Sequence, residues 1–195
     1  MKRFFDIIAS FLGLCLLTPF FIVIALLIVL DSKGGVFYLQ TRVGKDGKDF
    51  SLYKFRTMKP ESDKKGQLTV GARDARITAI GYFLRKFKLD ELPQLFNVLI
   101  GDMSLVGPRP EVRKYVEMYT EEQKKVLSVK PGITDYASLE YFDENRLLGE
   151  SDNPEETYVR EIMPEKLRLN MNYIHQQGFI TDLKIIFKTI FRIIK

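Results

Sequence analysis

The chain opens on its most apolar stretch. From Ile7 to Leu30 no side chain carries a charge, and Leu, Ile, Val and Phe dominate. Such a run is long enough to enter a bilayer as a helix. After Asp31 the pattern changes. Val36 to Gln40 combines β-branched and aromatic residues and predicts a short strand; Phe50 to Met58 alternates and predicts its hairpin partner across the Gly44–Lys48 turn. On that register Leu52, Lys54 and Arg56 share one face, and Tyr53, Phe55 and Thr57 the other. Residues 59–76, punctuated by Pro60, Gly66 and Gly71, predict a loop of the length that more often serves as a lid or binding loop than as filler. Ile77 to Lys88 predicts a helix with Ile80, Leu84 and Phe87 on one side. Leu92, Leu95, Phe96, Val98 and Leu99 predict a second, ended by Gly101. Helices are further expected over Glu111–Val129, briefly over Asp143–Leu148, from Glu155, from Pro164, and over Phe179–Lys195. The fold class is therefore α/β, mostly helical with a small sheet.

The first apolar segment is not a simple span. A secretory signal begins in a similar way, but the apolar part here is too long, and no small-x-small site closes it. Thr18-Pro19 lies in its middle, and proline removes a helical hydrogen bond and predicts a kink. Basic residues flank both sides. Lys2 and Arg3 come before it; Lys33, Arg42, Lys45, Lys48, Lys54, Arg56 and Lys59 come after, against Asp31, Asp46 and Asp49. The positive-inside tendency then favours both ends on the cytoplasmic face, as a re-entrant helix bent at Thr18-Pro19 would place them. A single kinked span and a buried core helix are the alternatives. At the other terminus Lys184, Lys188, Arg192 and Lys195 recur at spacings of four, four and three among many hydrophobes. That is the pattern of a helix in the membrane interface with cations near anionic lipid headgroups. Packing on the domain core or on a partner would use the same stripe.

Charge and composition narrow the partners. The 195 residues carry 30 Lys plus Arg against 25 Asp plus Glu, a formal charge of +5. That suits an anionic surface or a phosphorylated substrate. No aromatic-basic nucleic-acid motif stands out. Cys15 is the single cysteine, so no disulfide framework forms within one chain. His175, the single histidine, lacks metal-ligand spacing and reads as structural or surface.

The densest candidate chemistry lies in residues 89–110. Asp90 and Glu91 are adjacent acids where a helix could begin. As a cap, Asp90 would face free backbone N–H groups, and the dipole with Arg85, Lys86 and Lys88 would favour its anion. An anion suits a nucleophile; a plain helix cap is the bland alternative. Gly107-Pro108-Arg109-Pro110 holds one guanidinium in a stiff loop, suited to phosphate. Asp102 is placed to orient Arg109 or assist a divalent cation. Lys54 and Arg56 on one strand face, with Arg73 and Arg76 in the loop, are further anion candidates. Together these suggest phosphoryl chemistry.

These motifs resemble, nearly end to end, the bacterial sugar transferase family of small monotopic phosphoglycosyl transferases. The likeness is carried by the apolar N-terminus with its proline, Tyr53–Met58, Leu84-Arg85, Leu89–Asn97, Gly101–Ser104, Gly107–Pro110 and Pro131–Thr134. It implies a membrane anchor at 1–32, with a re-entrant helix, and a cytoplasmic catalytic domain at 33–195 that includes the amphipathic helix 179–195. It implies Asp90 as nucleophile on the β-phosphorus of a UDP-sugar, release of UMP, a covalent aspartyl-phosphosugar, and transfer to polyprenyl (undecaprenyl) phosphate. Glu91 would complete the dyad, Lys54, Arg85 and Arg109 would bind phosphate, and Mg²⁺ would bridge the diphosphate and Asp90, with Glu91 as a second candidate ligand. The expected setting is the cytoplasmic face of the bacterial inner membrane. There the protein would start exopolysaccharide or lipopolysaccharide assembly ahead of downstream membrane glycosyltransferases; a homodimer is compatible.

The chain departs from the family's common pattern after Thr134, where Asp135-Tyr136-Ala137-Ser138 replaces a glycine-led segment ending in arginine. Arg146 is the candidate replacement, and Glu140, Asn145 and Arg146 are candidate sugar or nucleotide contacts. Two rivals stand beside this reading: a membrane transferase working by direct transfer, and a non-enzymatic module binding anionic lipid or nucleic acid.

Overall fold

The computed structural model describes residues 1–60, 62 and 74–194. Helix α1 runs from Lys2 to Asp31 through Pro19 without interruption. The Ser10 and Thr18 hydroxyls donate to the carbonyls of Ile7 (3.1 Å) and Leu14 (2.7 Å), each within its own helical turn. A stripe at helical spacing, Asp6, Ser10, Leu14, Ile24 and Ile28, is buried against the rest of the chain. The opposite face leaves Phe11, Leu16, Phe20, Val23 and Leu26 exposed.

Strands β1 (Phe37–Val43) and β2 (Asp49–Phe55) form the expected antiparallel hairpin, with Tyr38 opposite Lys54. Both faces of β2 are covered. Phe55 packs with Ile24, Ile28 and Leu84, and Leu52 with Val98 and Met103. Arg56 does not join Lys54 as an anion contact: its guanidinium donates to the carbonyls of Ser32 (2.8 Å) and Lys33, just beyond the end of α1. A cation suits the negative end of a helix.

Helix α2 (Ala79–Lys86) is shorter than predicted because Thr78 caps it, its hydroxyl accepting from Gly81 N–H at 3.0 Å. Helix α3 (Gln94–Ile100) ends on Gly101, whose φ of 105° suits glycine at that position. Strand β3 (Ser104–Val106) pairs in parallel with β4 (Gly132–Thr134), so the described residues hold two small sheets where the sequence suggested one. Gly107 and Gly132 pass so closely that a Cβ on Gly132 would lie 2.0 Å from the Gly107 nitrogen. Only glycine lets these backbones meet.

The helix predicted over Glu111–Val129 is broken. Helix α4 covers Arg113–Val116 only, and a 3₁₀ stretch follows at Gln123–Ser128. Thr120 and Gln123 exchange side-chain hydrogen bonds with each other's backbone N–H, which restarts the chain between them. Its predicted apolar row is nonetheless buried: Val112, Tyr115, Val116 and Tyr119 join the largest core cluster. Helices α5 (Tyr136–Glu140), α6 (Glu144–Gly149) and α7 (Pro154–Thr157) follow, then a π-helical turn at Tyr158–Ile162, α8 (Met163–Gln176) and α9 (Phe179–Ile194). Helix α9 packs on the domain through buried Asp182 and Ile185 and leaves Ile180, Phe187, Ile190 and Phe191 exposed.

Both ends of α1 are tied to this one body. Lys2 Nζ donates to Val106 O (3.0 Å), Tyr173 Oη (3.1 Å) and Asp182 (2.5 Å). Arg3 donates to Val98 O and Leu99 O in the last turn of α3, at 2.5 and 3.0 Å. The buried Asp6 accepts from Ser104 Oγ (2.9 Å) and Leu105 N–H (3.2 Å). At the far end Asp31 accepts from Ile80 N–H at 2.9 Å, beside the Arg56 contacts.

Candidate active site

Asp90 and Glu91 sit in a 3₁₀ turn, Leu89–Glu91, between α2 and α3. Asp90 does not cap α3, whose cap position is Pro93. Lys88, with φ 55°, bends the chain into this turn. Asp90 is nearly buried, at 9% exposure, and it lies in the wall of a cleft of about 1080 Å³. Lys54, Arg85, Lys88, Glu91 and Arg109 line the same cleft.

Glu91 is fully engaged. Arg109 reaches both of its oxygens, Nη1 to Oε2 at 2.9 Å and Nη2 to Oε1. Lys54 Nζ stands 3.5 Å from Oε1. Such a forked pair fixes the guanidinium plane as well as its charge. The Arg109 backbone is fixed too: its N–H donates to Asp135 at 3.0 Å, while the other Asp135 oxygen takes Ser138 N–H at 2.6 Å and caps α5. Arg42 holds the next residue, donating to Pro110 O at 3.1 Å. Asp102 does not orient Arg109; its nearest hydrogen-bond partner is Asn97, at 3.5 Å. Asn97 stitches α3 to β2, accepting from Tyr53 N–H at 3.0 Å and donating to Ser51 O at 2.7 Å.

Among the described residues no hydrogen bond reaches the Asp90 carboxylate. The two adjacent acids are thus unlike. Burial, with the neighbouring Glu91 charge adding to it, raises the Asp90 pKa. That is the reverse of what a helix cap would do. Burial also works against the Glu91 charge, but Arg109 and Lys54 overcome it and hold that carboxyl well below the usual carboxylate range. Burial lowers Lys54 to about 8, against the pull of Glu91. It lowers Arg85 as well, against the pull of Asp90. Arg109 is pushed up, chiefly by Glu91.

The whole chain, residues 1–195, matches the family model for bacterial sugar transferases. The chain belongs to the bacterial sugar transferase family. It is 38% identical over 193 residues, 97% of its length, to a UDP-N-acetylgalactosamine-undecaprenyl-phosphate N-acetylgalactosaminephosphotransferase of Aeromonas hydrophila, of which it covers 43%. It is 38% identical over 195 residues, 98% of its length, to a UDP-glucose:undecaprenyl-phosphate glucose-1-phosphate transferase of Escherichia coli, of which it covers 40%. An uncharacterized sugar transferase of Bacillus subtilis is 38% identical over 194 residues, with 100% of this chain and 87% of that protein aligned. The chain thus spans under half the length of the first two relatives and most of the third.

In this family member the cleft gathers Lys54, Arg85, Asp90, Glu91 and Arg109, the residues singled out in the sequence. Of the downstream candidates only Asn145 lines it. Glu140 is exposed, and Arg146 is exposed and paired at 3.5 Å with Glu150, so Arg146 does not replace a site arginine. Arg76 binds Asp74 and the Ser62 carbonyl, and Arg73 lies outside the described residues. Sequence reasoning missed Asp135 as the anchor of the arginine loop, although its place at a helix start was a signal. It also missed Arg42, Glu111, Tyr158 and Lys166, whose contacts cross from β1 to the π-helical turn and α8. No local spacing announces these.

Among the described residues no three His, Cys, Asp or Glu side chains gather into a metal cage. The donor set still fits Mg²⁺ held with a substrate diphosphate, a mode that needs only one or two carboxylates. Of the two adjacent acids, Asp90 is the one that takes no hydrogen bond among the described residues, since Arg109 takes both Glu91 oxygens.

Proposed function

We propose that the protein transfers a sugar-1-phosphate from a UDP-sugar to polyprenyl phosphate, undecaprenyl phosphate by analogy with its named relatives, through Asp90. The carrying observation is a nearly buried carboxylate that takes no hydrogen bond among the described residues, facing a cleft lined by Lys54, Arg85 and Arg109. An Asp90 oxygen attacks the β-phosphorus in line. The bond from that phosphorus to the UMP oxygen breaks, and UMP leaves with the electron pair. A polyprenyl-phosphate oxygen then attacks the same phosphorus, the bond to Asp90 breaks, and the carboxylate is restored. Splitting one transfer into two suits a carboxylate nucleophile. Arg109, locked by Glu91, and Lys54 neutralise the phosphoryl oxygens without reorganising. Glu91, already bound on both oxygens, acts by fixing these two cations. Mg²⁺, when bound beside Asp90, supplies further neutralisation of the diphosphate.

The anchor reading follows the same body. A 30-residue helix is roughly 45 Å long, enough to cross a hydrocarbon core of about 30 Å. A crossing helix would put its ends on opposite faces, yet one compact domain hydrogen-bonds both ends of α1. This supports a monotopic arrangement with both ends on the cytoplasmic face. Labelling an introduced cysteine at residue 2 from the outer side only would contradict it. For the reaction, UMP release is measured with a UDP-sugar and polyprenyl phosphate. The reading requires release to depend on the sugar nucleotide and to vanish in Asp90→Asn.

A further inference from the structure

The cleft extends past Arg109 into a corner that the proposed phosphoryl chemistry does not use. Its wall is made by the start of α6 and the residues just before it. Phe142 lines it, with Lys88 Nζ 5.1 Å from its ring centre and Arg192 at 5.4 Å from the same ring. Lys88 stands two residues before Asp90, so this ring borders the catalytic turn. Glu144 lines it as well, near enough to Arg109 to act on its charge. One Glu144 oxygen accepts from Lys166 Nζ at 2.7 Å, and among the described residues no hydrogen bond reaches the other. Lys166 is set by the π-helical turn, its ammonium lying 5.3 Å from the centre of the Tyr158 ring. Tyr158 is in turn anchored on Glu111, which Arg42 holds at 2.9 Å. Asn145, beside Glu144, lines the cleft and makes no side-chain hydrogen bond among the described residues.

We propose that Phe142, Glu144 and Asn145 form the subsite for the sugar ring of the donor. This rests on the transferase reading above. A sugar linked to a phosphate between Asp90 and Arg109 extends beyond these residues toward the corner. An aromatic face covers ring C–H groups, a carboxylate oxygen accepts from a ring hydroxyl, and an amide donates and accepts. Lys166 is a positioning residue: it fixes the Glu144 rotamer and leaves one oxygen for the ligand. A half-buried acceptor lacking its ligand hydroxyl is penalised, which turns one contact into selectivity for a donor that carries it.

The test is steady-state UMP release by the full-length protein in detergent with polyprenyl phosphate. It compares UDP-glucose, UDP-N-acetylglucosamine, UDP-N-acetylgalactosamine and UDP-glucuronate, with UDP alone as a competitive inhibitor. The native protein is expected to use at least one of these donors. Glu144→Gln is expected to raise KM for the donor used about tenfold, with a smaller change in kcat. The inhibition constant of UDP is expected to stay the same. Asn145→Ala removes no ion pair, so it reports on the corner even if Glu144→Gln folds poorly. If both variants keep the native KM for every donor, or weaken UDP as much as the sugar nucleotides, the subsite is overturned while the transferase reading stands. If the native protein releases no UMP from any donor, the transferase reading falls and the subsite with it.

Discussion

Two buried charge networks organise this molecule, and they differ in one respect. At the foot of α1, Lys2, Arg3, Asp6, Tyr173 and Asp182 bond one another or backbone carbonyls and amides. In the cleft, Glu91, Arg109 and Lys54 are matched in the same way, but Asp90 beside them has no hydrogen bond among the described residues. The first network costs its desolvation and recovers it in contacts, so it serves as a joint. The second holds one anion under stress. Burial and Glu91 raise the Asp90 pKa, so its charged form is less comfortable folded than unfolded. A group left in that condition is where chemistry is expected.

The sharpest way to break this contrast is substitution at Asp90. Asp90→Asn is expected to lower transfer by about 10³-fold or more, since no other group replaces a covalent nucleophile. It is also expected to raise the melting temperature. A carboxyl whose folded pKa is raised adds stability when protonated and loses it as pH rises, so at pH 7 the ionised side chain is a burden that asparagine removes. Thermal denaturation beside UMP-release assays reads both. A lower melting temperature would put Asp90 among the structural charges.

Glu91→Gln should show the opposite sign. The Glu91 carboxyl is held low, so it contributes stability above the usual carboxylate range and loses it as pH falls. Removing its charge strands Arg109 and Lys54, at a cost of about 3 kcal/mol. Denaturant unfolding measures this, and activity should fall about 10²-fold as Arg109 loses its orientation.

The pH profile sharpens the contrast further. The proposed mechanism needs ionised Asp90 and charged Lys54. kcat/KM should therefore rise through an acidic limb lying above the ordinary aspartate range, and fall as Lys54 loses its proton near 8. Lys54→Arg should remove the fall on the alkaline side.

At the joint, effects should be structural and smaller on catalysis. Asp6→Ala leaves Ser104 Oγ and Leu105 N–H without their partner, at a cost of about 1–3 kcal/mol. Transfer by the folded fraction should fall by less than about tenfold.

Much of this was legible in the sequence where the signal is local. The long apolar helix, the β1–β2 hairpin, the acid pair and the proline-held Arg109 each declare themselves within a few residues. What stayed hidden depends on distant partners. The Glu111–Val129 segment has a helical apolar row, yet Thr120 and Gln123 break it, while Val112, Tyr115, Val116 and Tyr119 remain buried. Arg56 read as a phosphate ligand because its place against the end of α1 spans 23 residues of chain. Asp90 read as a helix cap because the 3₁₀ turn, set by Lys88, is not written in any periodicity. The sequence therefore singled out Asp90 but read its setting as a helix cap, whereas the turn buries it beside Glu91.

The most direct test is intact-mass spectrometry of the detergent-solubilised protein with Mg²⁺ and a panel of UDP-sugars, without polyprenyl phosphate, beside Asp90→Asn. The account predicts a mass increase of one sugar-phosphate on the native protein alone, discharged when polyprenyl phosphate is added. UMP release that requires polyprenyl phosphate and never leaves an adduct would contradict it and establish direct transfer.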